Sequence, residues 1–254
     1  MRIVRACRPW ITAAALLLAA GILPGFAAAD RREGQPFHWS ARLAAGKTLG
    51  VHGINGRIHV ERGTGSEAVV DAETWSMRGD PGRVKVEVEE TSRGVQIRAR
   101  YPRQWGHLGA DDVRVDFTVR LPAGVDVELG TVNGAIEAEG LQNRVTASTV
   151  NGAVRIETAG EAEARTVNGS ITARATPRTG DLAFRTVNGS VRLELPAAAS
   201  ARVSAHTLNG SIRSDFPVRI HGGWIGHNMN GTLGAGAADL EIHTVNGSIL
   251  LRRI

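Results

Sequence analysis

The chain of 254 residues is 42% hydrophobic yet only 4% aromatic, with 31 glycines, one cysteine and a formal net charge of +5. A single cysteine excludes an intrachain disulfide and any multi-cysteine metal centre. Arg2, Arg5 and Arg8 supply three of the excess cations, so the remainder is nearly neutral with dispersed charge, which argues against nucleic acid as a partner.

Residues 1–29 read as a secretory signal peptide. The three arginines make the basic start, residues 11–23 the apolar core, and Ala27-Ala28-Ala29 an A-x-A-like cleavage site before Asp30. The apolar run falls short of the ~20 residues a membrane-spanning helix needs, and Pro24-Gly25 closes it, so no transmembrane segment is expected after cleavage. Cys7 precedes the apolar core, which is the wrong side for a lipid-modified cysteine. The expected mature chain begins at Asp30, lacks cysteine and is exported, whether periplasmic, cell-surface or secreted.

Residues 30–254 read as one β-strand-repeat domain, irregular over 30–124 and regular over 125–254. The irregular part opens with Thr48-Leu49-Gly50-Val51-His52-Gly53-Ile54-Asn55-Gly56-Arg57-Ile58, a degenerate repeat. Val69, Val70 and Ala72 lead to Trp75 and a loop holding Arg78-Gly79-Asp80, a tripeptide that reads as a turn ending at Pro81. Alternating Val84, Val86 and Val88, a turn at Gly94, then Val95, Ile97 and Ala99 predict a hairpin. A loop with Trp105 and His107 precedes the strand of Val113, Val115, Phe117, Val119 and Leu121, which Pro122 closes.

From residue 125 one device recurs. Asn-Gly stands at Asn133-Gly134, Asn151-Gly152, Asn168-Gly169, Asn188-Gly189, Asn209-Gly210, Asn230-Gly231 and Asn246-Gly247, echoing Asn55-Gly56, with steps of 18, 17, 20, 21, 21 and 16 residues. A period near 20 marks a stacked repeat architecture. Three residues after Asn stand Ile136, Val154, Ile171, Val191, Ile212, Leu233 and Ile249. Four before stand Leu129, Ala147, Ala164, Phe184, Ala205, Gly226 and Ile242, and six before stand Val127, Val145, Ala162, Leu182, Val203, Trp224 and Leu240. Apolar residues two apart make one face of a strand, and β-branched residues suit it. Each repeat therefore reads as strand, Asn-Gly corner, strand. Asn and Gly both tolerate positive φ, and two geometries use that: a two-residue hairpin, or a solenoid corner with stacked Asn side chains. A hairpin needs only Asn-Gly, whereas here the preceding Thr and Val repeat as well, as they would where every column contacts its own copy. The predicted fold is all-β, a solenoid of right-handed β-helix type built from two-strand rungs, with an antiparallel hairpin meander as the alternative.

These pieces resemble the bacterial putative-adhesin family of β-strand-repeat proteins: the Thr48 to Ile58 opening, a variable hairpin, Leu121-Pro122-Ala123-Gly124, then tandem Thr-Val-Asn-Gly-Ser-Ile units. The Asn-Gly signature is also similar to the Gly-Ile-Asn head domain of autotransporter adhesins. The resemblance implies an exported β-helix-like fold in a cell-envelope setting and carries over no catalytic residues. The sixth unit departs from the pattern, with Asn228-Met229 for Thr-Val and Gly-rich flanks, so a looped or widened rung is expected there.

The column three before Asn holds Gly130, Ser148, Arg165, Arg185, His206, His227 and His243, and its parity points it outward. Stacked, Arg165, Arg185, His206, His227 and His243 would form a cationic stripe beside Arg155, Arg192 and Arg213 on the adjoining strand. Such a stripe would suit an anionic envelope polymer or lipid headgroups, although a charge run usually marks a solvated face. Parallel histidines do not converge on one ion, so no metal or cofactor is expected. The inward threonines are expected to bond a neighbouring rung's backbone. Glu137, Glu139, Glu157, Glu161 and Glu163 make no obvious catalytic pair, and no hydrolase, zinc-protease or phosphate-loop motif occurs. The expected function is a non-enzymatic, adhesin-like envelope scaffold or surface-binding module that meets envelope polymer, lipid headgroups or another surface protein. The alternatives are a polysaccharide-active β-helix enzyme and a binder of an anionic polymer or lipid.

Overall fold

The computed structural model describes residues 31–102, 112–176, 180–222 and 226–254. The predicted leader at 1–29, loop residues Trp105 and His107, and Trp224 of the apolar column lie outside the described residues.

Each repeat is a rung of two short strands bent at Asn-Gly. The strand before Asn joins one sheet, here the leading sheet, and the strand after Gly joins a second, the trailing sheet. In the Asn151 rung, Val145–Ser148 leads and Val154–Thr158 trails. Val145 stands parallel to Val127 on one side and Ala162 on the other, and Val154 to Ile136 and Ile171. This parallel register overturns the hairpin meander for the repeats. A hairpin would pair the two strands that flank Asn-Gly, but they belong to different sheets.

The columns that alternate along each strand fill the space between the sheets. Leu129, Ala147, Ala164, Phe184, Ile242 and Ala205 line the leading side, and Ile136, Val154, Ile171, Val191, Ile249 and Ile212 the trailing side, all buried. They form one continuous apolar core from Leu49 to Leu251, the dominant stabilising term of a stack whose rungs could not bury a face alone. The corner opposite Asn-Gly varies in sequence, which is why the repeat length varies while the register does not.

The order of rungs in space is not their order in the chain. The rung of Ala238–Asn246 and Ile249–Arg253 sits between that of Leu182–Asn188 and Val191–Leu195 and that of Ala201–Asn209 and Ile212–Ser214. The last repeat in sequence is therefore next to last in the stack. The degenerate first repeat, Thr48–His52 and Ile58–Arg62, stacks directly on the Asn133 rung.

One expected corner is absent. Asn230-Gly231 lies inside the straight strand His227–Leu233, antiparallel to Ala201–Asn209, with Asn230 opposite Ser204 and Arg219. The reason is parity: Met229, just before this Asn, is fully buried, whereas the residue before every true corner Asn is exposed. Together with Arg219–Gly222 this strand forms an antiparallel hairpin at the edge of the leading sheet. Antiparallel strands also finish the other end. Lys85–Thr91 pairs with Gly94–Arg100, and Ala68–Ser76 with Arg114–Leu121 and Phe37–Ala41. Lys85, Glu87, Glu89 and Glu90 put charge on the edge strand, which discourages edge-to-edge pairing.

Candidate functional site

The corner is a triple ladder. Asn133 Nδ2 donates to Asn55 Oδ1 at 2.8 Å, and the amide chain continues through Asn151, Asn168, Asn188, Asn246 and Asn209 at 2.8–2.9 Å. Behind it the threonines point inward. Thr149, Thr166, Thr186, Thr244 and Thr207 each donate Oγ1 to the Gly carbonyl of the adjacent rung, at 3.1, 3.0, 2.9, 2.9 and 2.8 Å. The glycines serve a purpose other than the one expected. Among them only Gly56 has a left-handed φ, 128°. At Gly134, Gly152, Gly169, Gly189, Gly210 and Gly247 a Cβ would lie 1.8–2.0 Å from the neighbouring rung's Gly oxygen. Close approach of backbones, and not positive φ, demands glycine there.

The outer face of the leading sheet carries the predicted stripe. Its stacking order is Ser148, Arg165, Arg185, His243, His206, with the His243 and His206 rings 6.3 Å apart. His227 is not a member: it stands opposite Thr207 on the antiparallel edge strand, because the sixth unit forms no rung. Nor is the stripe bare. Arg165 pairs with Glu163, Arg185 Nη2 meets Glu241 Oε2 at 2.6 Å, and His243 Nε2 meets Glu241 Oε1 at 2.9 Å. The hydrogen bond from His243, then that from Arg185, holds the Glu241 carboxyl below the usual carboxylate value. Two carboxylates, Glu163 and Glu241, thus engage Arg165, Arg185 and His243, which makes this part of the stripe an ion-paired band.

The outer face of the trailing sheet differs. Four residues after Asn, the stack reads His59, Glu137, Arg155, Thr172, Arg192, Leu250, Arg213. Arg155, Arg192 and Arg213 are exposed and make no ion pair or side-chain hydrogen bond among the described residues. A trough of about 570 Å³ runs over this face, lined by Arg155, Arg174, Arg192, Ser170, Ser190, Thr172, Glu139, Glu157 and Glu194. Of the glutamates weighed for catalysis, Glu137 lies 3.6 Å from His59, Glu161 receives Arg144 at 2.7 Å and Glu163 pairs with Arg165. Only Glu139 and Glu157 line the trough. No cluster of three metal-ligating side chains occurs among the described residues.

Two further features take their form from the fold. Ile54, Val132, Val150, Val167, Val187, Val245 and Leu208 form an aliphatic ridge along the corner, each 36–41% exposed. Their repetition was visible as the Val of Thr-Val-Asn-Gly, but their outward direction depends on where the strand ends. The Arg78-Gly79-Asp80 turn is tied down: Asp112 accepts the amides of Met77, Arg78 and Gly79 at 2.7–3.1 Å and the Ser76 hydroxyl at 2.5 Å. Asp80 accepts the Gly82 amide.

The sequence model described as Toastrack DUF4097 matches residues 54–252. The chain belongs to the Toastrack family. A solved structure of a putative cell adhesion protein from Clostridium sporogenes aligns at TM-score 0.53 and 9% identity, over 87% of this Toastrack chain and 100% of that one. A putative adhesin from Bacteroides fragilis aligns at TM-score 0.31 and 8% identity, over 86% and 97%. At 9% identity the first likeness shows a shared fold. No curated protein matches this Toastrack chain.

Proposed function

We propose that this Toastrack protein is an exported, non-catalytic scaffold of the cell envelope that binds repetitive surface material, as an adhesin does. The observation that carries this reading is the unbroken stack. Seven corners set identical groups at one-strand intervals, about 4.8 Å, along open faces suited to extended ligands. Support for export is the basic, apolar and small-residue order of residues 1–29. The neighbour from Clostridium sporogenes, a putative cell adhesion protein, supports the reading. Against catalysis stands the pairing of Glu161, Glu163 and Glu241 with arginines across or along the strands.

The test combines fractionation with binding. Intact-mass analysis of the exported protein is expected to find Asp30 at the N-terminus, and the mature protein is expected to sediment with isolated cell envelopes. Retained Met1, or no envelope binding, defeats the proposal. Turnover of an acidic polysaccharide by the mature protein would replace the scaffold with an enzyme.

A further inference from the structure

We infer that the trailing face of the stack is a binding surface for an extended acidic polysaccharide carrying one anionic group per disaccharide. The inference rests on the scaffold reading above and names the ligand class and the residues.

Three observations converge. The first is spacing. Because the last repeat inserts before the Ala201–Asn209 rung, Arg155, Arg192 and Arg213 alternate with Thr172 and Leu250. The backbone positions of successive arginines therefore lie two rungs apart, ~9.6 Å at ordinary strand spacing. An extended β-linked disaccharide has a similar length. In chain order Arg192 and Arg213 would have been neighbours, and the even interval would not exist.

The second is availability. Arg144, Arg165, Arg185 and Arg202 are each engaged by a carboxylate, whereas these three arginines are exposed with no partner among the described residues. A planar guanidinium presents a fork that matches a carboxylate or sulfate. From the Asn151 rung to the Asn209 rung the columns four and six residues after Asn carry Arg155, Arg174, Arg192, Arg252 and Arg213 against Glu157, Glu194 and Asp215. The excess is positive, and Glu194 is itself 3.7 Å from Arg174.

The third is the polar floor beside the arginines. Ser170, Ser190, Ser248 and Ser211 stack two residues after Asn, with Ser211 and Ser248 hydroxyls 3.1 Å apart. These hydroxyls and the Glu139 and Glu157 carboxylates can bond sugar hydroxyls, which a lipid headgroup does not offer in series. The trough spans the rungs of Asn133 to Asn188, and Arg213 continues the line two rungs beyond Arg192.

The experiment uses the mature protein and three immobilised probes. They are hyaluronan, with one carboxylate per disaccharide; polygalacturonate, with one per sugar; and phosphatidylglycerol vesicles. Hyaluronan is expected to bind, and more weakly as salt rises, since exposed charges are screened within ~10 Å at 0.1 M. Arg155→Gln, Arg192→Gln and Arg213→Gln should each weaken it about two- to fivefold, the scale of an exposed ion pair, and the triple change about tenfold or more. Arg83→Gln, remote on the irregular insert, serves as the control that changes nothing. Melting of the triple variant should match wild type, because its side chains lack partners to lose. No hyaluronan binding, binding unaffected by the triple change, polygalacturonate bound many-fold more tightly, or binding only to vesicles each overturns the inference. Envelope sedimentation that persists in any of those cases leaves the scaffold reading standing.

Discussion

Gly189 shows how a single atom governs the corner. A Cβ there would sit 2.0 Å from the Gly169 oxygen and 2.5 Å from its carbon, both backbone atoms held by the ladder. The next residue, Ser190, lies in the open trough. Gly189→Ala is therefore expected to destabilise by about 1–3 kcal/mol or more, the cost of overpacking a rigid site, whereas Ser190→Val stays within about 0.5 kcal/mol. Denaturant unfolding of both variants checks this, and equal midpoints would mean that the rungs can part at no cost. Asp112 governs the insert loop at the same scale. The Ser76 hydroxyl, then the amides of Gly79, Arg78 and Met77, hold its carboxyl below the ordinary 3.8. A carboxyl whose folded pKa is depressed contributes fully above its unfolded value, and that contribution is lost as pH falls through the folded one. Protection of the Met77 and Arg78 amides against hydrogen exchange, measured relative to a core amide, should thus weaken as pH falls below 3.8. Asp112→Asn should show the weaker protection already at neutral pH.

At the scale of elements, the interior position of the C-terminal rung has a direct consequence. Ala238–Asn246 pairs with both Leu182–Asn188 and Ala201–Asn209, and Asn246 supplies the amide link between Asn188 and Asn209. In a solenoid built in chain order, deleting a terminal rung trims one end. Here, ending the chain after Ala237 removes a middle layer and leaves Val203, Ala205 and Ile212 without their neighbours. The truncated protein is expected to lose protease resistance over Ala201–Asn209 and His227–Leu233 as well, while Val145–Ser148, Val154–Thr158, Leu182–Asn188 and Val191–Leu195 remain protected. Mass mapping of limited proteolysis distinguishes the outcomes, and intact protection of Ala201–Asn209 would show that this rung can restack on Leu182–Asn188. The expected corner at Asn230-Gly231 failed at this scale too. Asn-Gly marks a corner only when the preceding residues keep the rung's inward and outward alternation, and buried Met229 breaks it.

At the scale of the whole molecule, one core links residues from Leu49 to Leu251, and non-consecutive rungs interlock. A linear array can unzip from either end. This one cannot release its last repeat without opening the stack, so unfolding of the mature chain is expected as a single calorimetric transition with equal van't Hoff and calorimetric enthalpies. Two resolved transitions would show that the irregular part, up to residue 124, melts apart from the repeats.

What the sequence by itself determined is the rung. Alternation along a strand is a nearest-neighbour property with period two, so Ile136, Val154 and Ile171 declared the inner face, and Arg165 and Arg185 the outer one, before any contact was known. The fate of the stripe was less legible, since the ion pairs of Arg185 and His243 with Glu241 join residues 56 or 2 positions apart. Only the tertiary structure decided the order of stacking. Every rung presents the same Asn, Thr and β-branched columns, so local interactions barely distinguish which rung follows which. The choice is made by the edge hairpin of Arg219–Gly222 and His227–Leu233, which pairs with Ala201–Asn209 and covers that rung's far side. The last repeat is then left to pair between that rung and the one before it, and this placement brings Arg192 and Arg213 to their two-rung interval.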